Sequence, residues 1–323
     1  MLLIVAKSND PHVDAVGALL IDKGLPYKRI NLEEYLKTFQ IDLDLGPSGS
    51  EAELVQTNEH FPFHEISSVW FRPPLRPFIN QSITQPGVAV FIRDETQAFL
   101  AGLWRLLADR FWVSPAHAVT NANNKIYQLQ QASAIGLAIP KTLITTNPAR
   151  ALAFYEECNR RMITKVLHRN IVDHGQSVSV VWTNEVTEEH VKLFGSISCS
   201  PTLFQEYVPK RYELRITVVG QQVFACAIHS QAASRTEVDW RRYDVDIPYE
   251  AIELPTYIED QCRRLVAELG LQFGAIDMIL RPDGSYVFLE INPTGAWLWI
   301  QQKTGLRINE AIVDLLTGRG QAG

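Results

Sequence analysis

A chain of 323 residues with 46% hydrophobic and 20% charged side chains suits two or three packed units and a large core that needs neither disulfides nor structural metals. With 30 Lys and Arg against 36 Asp and Glu, the net charge of −6 and the isoelectric point near 5.8 are the reverse of a general nucleic-acid surface, which argues against nucleic acid as a partner. No apolar run approaches the roughly 18 residues of a membrane span, and Cys158, Cys199, Cys226 and Cys262 lie far apart with no CxxC pair, the pattern of a reduced, cytoplasmic chain.

Residues 1–118 read as a first α/β unit. Residues 2–6 form an apolar strand, too short and too poor in preceding basic residues for a signal peptide, and a helix over 11–23 stops at Gly24. Strands over 28–31, 41–45, 52–56 and 68–72 are bounded by Gly-Pro-Ser-Gly-Ser and Thr-Asn-Glu turn chemistry and by Pro73 and Pro74. A long helix over 90–110 places Phe91, Ala98, Leu103, Leu106 and Leu107 near one face, followed by a short strand over 111–113 and a break at Pro115. The second unit, 119–200, opens with a helix over 123–134 that is stopped by Gly136 and Pro140. It continues with an extended stretch over 141–145, a helix starting at Pro148 and a strand over 161–167. An irregular polar stretch to 177, a strand over 178–182 and a helix over 187–194 complete it. The third unit, 201–323, carries strands over 202–207, 212–219 and 222–229, a polar segment over 230–246 and a helix over 256–269. Strands over 273–281 and 286–292, joined by Pro282-Asp283-Gly284, and a last helix over 308–316 close the chain.

Chemistry concentrates in that last pair of strands. Alternation points Glu290 and Asn292 to one face and Leu289 and Ile291 into the opposite, apolar layer. The tight turn sets Asp277 across from Glu290, so Asp277, Glu290 and Asn292 form a hard-oxygen site suited to Mg²⁺, with phosphate oxygens completing it. Isolated strand acids are often solvated edge charges, but acids set within Ile-Asp-Met-Ile and Phe-Leu-Glu-Ile are costly unless a cation matches them. The strand from Glu213 likewise turns Glu213, Arg215 and Thr217 to one face. Arg215 suits a γ-phosphate, which a guanidinium grips with two bonds, or else pairs with a neighbouring carboxylate. GxxxxGK[ST], GxGxxG and GxSxG are all absent, so bound phosphates require lysines. Lys125 at a helix start and Lys165 in mid-strand are the candidates, although each alone also reads as a surface lysine. His60 and His64 have the spacing of a zinc pair, but Pro62 breaks the helix that would align them. The seven tryptophans are scattered and read as packing rather than as a base-stacking platform.

Seven segments in order carry a family resemblance: NANNK ending at Lys125, ITK ending at Lys165, FQEYVPK from Phe204, ELRITVVG from Glu213, DWR from Asp239, GAIDM from Gly274 and FLEINP from Phe288. Over nearly its whole length the chain resembles the ATP-grasp ligases and, within them, the graspetide (microviridin-type) peptide cyclases. The resemblance implies an α/β (α+β) ATP-grasp fold with an N-terminal pre-ATP-grasp domain over 1–118, a central lid over 119–200 and a C-terminal subdomain over 201–323 that carries the metal site. It implies that Lys125 and Lys165 contact the phosphates of ATP, that adenine rests at a hinge of Gln205, Glu206, Tyr207 and Val208, and that Glu213 holds the ribose hydroxyls. Asp277, Glu290 and Asn292 would hold Mg²⁺ and Arg215 would face the γ-phosphate. The implied reaction activates an Asp or Glu side chain of a ribosomal precursor peptide as an acylphosphate. A Thr or Ser hydroxyl then closes an ester, or a Lys amine an amide, and the similarity of Asn123-Asn124-Lys125 and of Val238-Asp-Trp-Arg-Arg242 favours the ester. Arg241 would orient the acceptor carboxylate or acylphosphate, or serve at the surface. Glu188 and Glu189 would dock the precursor's leader segment, and a homodimer, common among relatives, is one assembly the resemblance allows, which no surface stripe in the sequence establishes. The chain departs from the many relatives with Trp-Tyr-Arg-Arg where it has Trp70-Phe71-Arg72-Pro73. The other readings are an ATP-grasp ligase adding an amino acid to a small molecule or protein tail, and a non-catalytic ATP-binding regulator. The complete set of Asp277, Glu290 and Asn292 argues against the regulator.

Overall fold

The computed structural model describes all residues except 48, 57–58, 73–78, 81, 169–170, 176, 233–246 and 319–323. Strand β1 (Leu2–Ala6) is buried throughout because it lies inside a parallel sheet of order β2-β1-β6-β7. Helix α1 (Pro11–Asp22) starts where the Asp10 carboxylate accepts the His12 N–H and Pro11 fixes the first turn, and it ends before Gly24, which takes φ +66°. Strand β2 (Tyr27–Asn31) follows, and then β3 (Gln40–Gly46), β4 (Gly49–Gln56) and β5 (Glu59–Pro62) make a separate antiparallel sheet. His60 sits in that sheet, paired with Glu53. Strand β6 (Ser68–Phe71), helix α2 (Pro86–Leu106) and strand β7 (Phe111–Val113) complete the unit. Helix α2 begins earlier than its sequence pattern predicts. Its full burial begins only at Leu100, so Phe91 and Ala98 are exposed rather than sharing the face of Leu103 and Leu107.

Helix α3 (Ala116–Ala122), which the sequence reading lacks, precedes α4 (Lys125–Ala134), whose first N–H groups are capped by the Asn124 side chain. Both helices pack Val119, Ala122, Leu129 and Ala132 against the C-terminal sheet. Then come β8 (Thr142–Thr145), α5 (Pro148–Glu157), β9 (Met162–Lys165), the hairpin β10 (Ile171–Asp173) and β11 (Val178–Val180), β12 (Asn184–Glu185), α6 (Glu188–Lys192) and β13 (Thr202–Glu206). The hairpin occupies part of the stretch read from sequence as irregular. Strand β13, grouped by sequence with the strands after it, instead lies between β8 and β9 in an antiparallel sheet of order β12-β9-β13-β8. This sheet has a core of its own, built from Ala151, Phe154, Met162, Phe194 and Phe204.

The last part of the chain builds β14 (Tyr212–Val219), β15 (Gln222–Ile228), β16 (Tyr249–Ile252), α7 (Thr256–Glu268), β17 (Phe273–Leu280), β18 (Tyr286–Asn292), α8 (Leu298–Thr304) and α9 (Ile308–Leu316). Its sheet runs β16-β15-β14-β17-β18, antiparallel throughout. One face sends Leu214, Ile216, Val218, Ile276 and Met278 into the core under α3, α4 and α7. At its end the sheet shares a second core with the first unit, where Ile4, Val16 and Trp70 meet Phe273, Trp297 and Ile312. Arg241 lies outside the described residues, and among those described no helix is long and apolar enough to cross a membrane.

The register of the β17–β18 hairpin overturns one expectation. Asp277 pairs with Glu290 but Met278 pairs with Phe288, so Leu289 is an extra residue, a β-bulge. Phe288 and Ile291 enter the large core, while Leu289 turns to the other side and packs against Val208, Ile279 and Val287.

Candidate active site

The open face of the C-terminal sheet forms the floor of the site. Arg215 on β14 is in register with Asp277 on β17, and Asp277 with Glu290 on β18, so three charged side chains stand in one row across three strands. Partly buried carboxylates are costly unless cations meet them. Arg215 Nη1 lies 2.8 Å from Asp277 Oδ1 and 2.9 Å from Oδ2, and Lys125, brought over by the first turn of α4, pairs with Glu290. The carboxylate alternative open for Arg215 is therefore the pairing present. One step along the strands, Asn292 is in register with Ala275, and its Oδ1 accepts the Thr294 N–H at 3.4 Å.

The second sheet forms the opposite wall. Lys165, at the end of β9, donates to the Leu289 carbonyl at 3.4 Å, spanning the cleft from wall to floor. Gln205 is fully buried and donates through Nε2 to Thr142 Oγ1 at 2.9 Å. The Thr142 hydroxyl itself donates to the Pro140 carbonyl, which fixes the Gln205 amide with Nε2 toward the threonine. Among the described residues Gln205 Oε1 is left buried without a partner, an acceptor suited to an amine donor such as the exocyclic group of adenine. The Glu206 carboxylate accepts the Lys141 N–H at 3.0 Å, and Tyr207 lies under the Arg161 guanidinium, 4.0 Å from the ring centroid. Val208, Ile279 and Leu289 make an apolar patch beside these residues. Glu213 lies 2.7 Å from Lys210, and both side chains are buried. Burial pushes the Glu213 carboxyl up from its ordinary value, while the Lys210 ammonium pulls it back.

A cleft of about 390 Å³ is lined by Lys125, Lys165, Gln205, Glu206, Tyr207, Val208, Glu213, Asp277, Glu290 and Asn292, so these sequence-predicted residues meet in one place. Arg215 is joined to it through Asp277. Sequence reasoning missed Lys210, although its position three residues before Glu213 was a usable signal, and it missed Leu289, whose bulge leaves no signal in the pattern. Among the described residues no three His, Cys, Asp or Glu side chains gather as a metal cluster. A bound cation would therefore have to be held by Asp277, Glu290, the Asn292 amide oxygen and oxygens of a ligand, a hard donor set that fits Mg²⁺.

A family model described as the MvdD pre-ATP grasp domain matches residues 1–120. The chain is similar to the macrocyclase MdnC of Microcystis aeruginosa MRC, solved with the precursor peptide MdnA, at 30% identity and TM-score 0.86 over 98% of this chain and 99% of that one. It is also similar to a Chryseobacterium gregarium RiPP-associated ATP-grasp ligase in complex with ADP and a leader and core peptide, at 28% identity and TM-score 0.87 over 98% and 96% of the two chains. Among curated proteins, the glutamate–LysW ligase ArgX of Sulfurisphaera tokodaii is 21% identical over 209 residues, which is 63% of this chain and 72% of that protein.

Proposed function

This chain belongs to the ATP-grasp macrocyclase family that includes MdnC, and from that premise we propose that it is an ADP-forming carboxylate ligase that closes rings in a ribosomal precursor peptide. The observation that carries the reading is the row Arg215, Asp277 and Glu290, with Lys125 on the same floor and Lys165 reaching across from the other wall. In this reading Lys125 and Lys165 hold the phosphates of the substrate ATP. Adenine lies against Val208, Ile279 and Leu289, beside Gln205, Glu206 and Tyr207, and Glu213, kept in place by Lys210, accepts from the ribose hydroxyls. Asp277, Glu290 and Asn292 would hold Mg²⁺, whose charge offsets that of the phosphate oxygens. Arg215 stays charged throughout and faces the γ-phosphoryl group as charge develops there.

An Asp or Glu carboxylate of the peptide attacks the γ-phosphorus, and ADP leaves. A Thr or Ser hydroxyl then attacks the acylphosphate carbonyl, phosphate leaves, and each ring costs the peptide one water in mass. The ester (lactone) is the product we put first, a Lys-derived amide second. Arg241 orients the carboxylate being activated, and Glu188 and Glu189, both exposed on α6, meet the leader segment. The four cysteines are free thiols, in keeping with a cytoplasmic enzyme; a homodimer is one assembly to test by light scattering.

The test is incubation with ATP, Mg²⁺ and the precursor peptide encoded beside the gene, followed by mass spectrometry, with Glu290→Gln as control. Loss of one water mass per ring, absent in the control, supports the reading, and mild alkaline hydrolysis distinguishes ester from amide. Addition of an amino-acid residue to another acceptor would instead favour the amino-acid ligase reading, which the similarity to ArgX motivates.

A further inference from the structure

The segment that leaves β18 is fixed at three points. At its start Asn292 ends the strand, with the Thr294 N–H on its side chain. In its middle Gly295 is pressed onto the sheet so closely that a Cβ there would lie 2.4 Å from the Ala275 Cβ. Its far end is Trp297, which has no exposed surface and donates from Nε1 to Asn309 Oδ1 at 2.7 Å.

The cage around Trp297 is built largely by the first unit. His12 packs tilted against the indole, with ring centroids 4.3 Å apart, Trp70 lies at 6.2 Å, and the Arg72 guanidinium sits 4.9 Å from the ring. Arg72 is itself buried and held by Asp10, Nε to Oδ2 at 2.8 Å, while the other oxygen of Asp10 caps α1. A buried guanidinium retained against an indole face fixes the plane of both groups. Phe273, from the strand that carries Asp277, closes the cage at 5.2 Å.

We propose that Arg72, locked by Asp10, is a positioning residue for the cation site: it clamps Trp297 and, through the short segment pinned at Gly295, fixes where the Asn292 side chain stands. The inference rests on the reading of Asn292 as a metal ligand. It gives the first unit a task in the chemistry of the third, carried by packed side chains. Supports of this kind typically change metal affinity about 10–100-fold when altered.

The experiment measures Mn²⁺ binding to the ADP-saturated protein by calorimetry for the wild type, Arg72→Lys, Asn292→Ala and the double variant. Arg72→Lys keeps the charge but loses the planar contact, and is expected to weaken Mn²⁺ about tenfold while leaving metal-free ADP affinity unchanged. If Arg72 acts through Asn292, the double variant binds Mn²⁺ no more weakly than Asn292→Ala alone. Additive losses, or wild-type Mn²⁺ binding in Arg72→Lys, would overturn the proposal while leaving the Asn292 assignment intact. Wild-type Mn²⁺ binding in Asn292→Ala would overturn both. Should Arg72→Lys not fold, Trp297→Phe reads the same coupling from the other end, because it keeps a ring in the cage but drops the bond to Asn309.

Discussion

Lys210 and Glu213 form a buried ion pair at 2.7 Å where the chain enters β14, three residues apart, and both line the cleft. Because burial raises the Glu213 carboxyl above its ordinary value of 4.5, the folded protein binds this proton more tightly than the unfolded chain does. The stability tied to Glu213 is thus fully present below pH 4.5 and is lost as pH rises through the folded value. Glu213→Gln is expected to flatten this part of the pH dependence in thermal denaturation and to weaken ATP about tenfold by removing a charged acceptor. Lys210→Met should make the loss with rising pH steeper. Identical profiles in all three proteins would contradict the assignment.

Glu290 is held between Asp277 and Lys125. Its conversion to Gln removes one of two facing carboxylates and is expected to lower kcat by about 10²–10³-fold, the range seen when one electrostatic partner of a transferring group is lost. It also leaves Lys125 without its carboxylate, at a cost of about 1–3 kcal/mol in stability. Denaturant titration alongside steady-state phosphate release separates the two effects.

Gly295 tolerates no side chain because the Ala275 Cβ occupies the space. Gly295→Ala should destabilise the fold by about 1–3 kcal/mol and raise the Mg²⁺ concentration needed for half-maximal turnover. Adding Ala275→Gly makes room for the new methyl group and should restore both quantities. Failure of the paired exchange to rescue would trace the crowding to Asn292, whose Cβ and carbonyl oxygen lie 3.2 and 3.4 Å from the added Cβ.

His12 lies against Trp297, and burial, helped by the Arg72 charge, depresses its imidazole from 6.5 to about 4. The unfolded chain takes up this proton more readily, so the stability tied to His12 is present above pH 6.5 and is lost as pH falls toward about 4. Replacement by Phe should remove that acid-side loss from the melting profile, whereas an unchanged profile would place the acid sensitivity elsewhere.

Alternation made the floor of the site legible in the sequence. A strand's period of two puts Glu213, Arg215 and Thr217 on one face, and a tight turn puts Asp277 opposite Glu290, so both follow from local geometry. What stayed hidden was non-local. The bulge at Leu289 arises from a register shift between two strands, the place of β13 in the second sheet depends on pairing with β8 and β9, and the choice of Asp277 by Arg215 is a matter of which neighbour lies nearest. Helix α2 misled for a related reason. Its apolar spacing is real, but how far the helix runs before reaching a surface to cover is decided by the layers around it.

The separate core of the second sheet has a consequence for how the molecule opens. Ala151, Phe154, Met162, Phe194 and Phe204 form a small apolar cluster apart from the one that joins the first unit to the third. Hydrogen exchange should therefore resolve two cooperative units, with amides of β8, β9 and β13 exchanging at a lower free energy than those of β1, β14 and β17. Because Gln205 and Lys165 belong to the weaker unit while Asp277 and Glu290 belong to the stronger, any ligand bound across the cleft would tie the fates of the two together. Its affinity would then appear as slowed exchange far out in the second sheet.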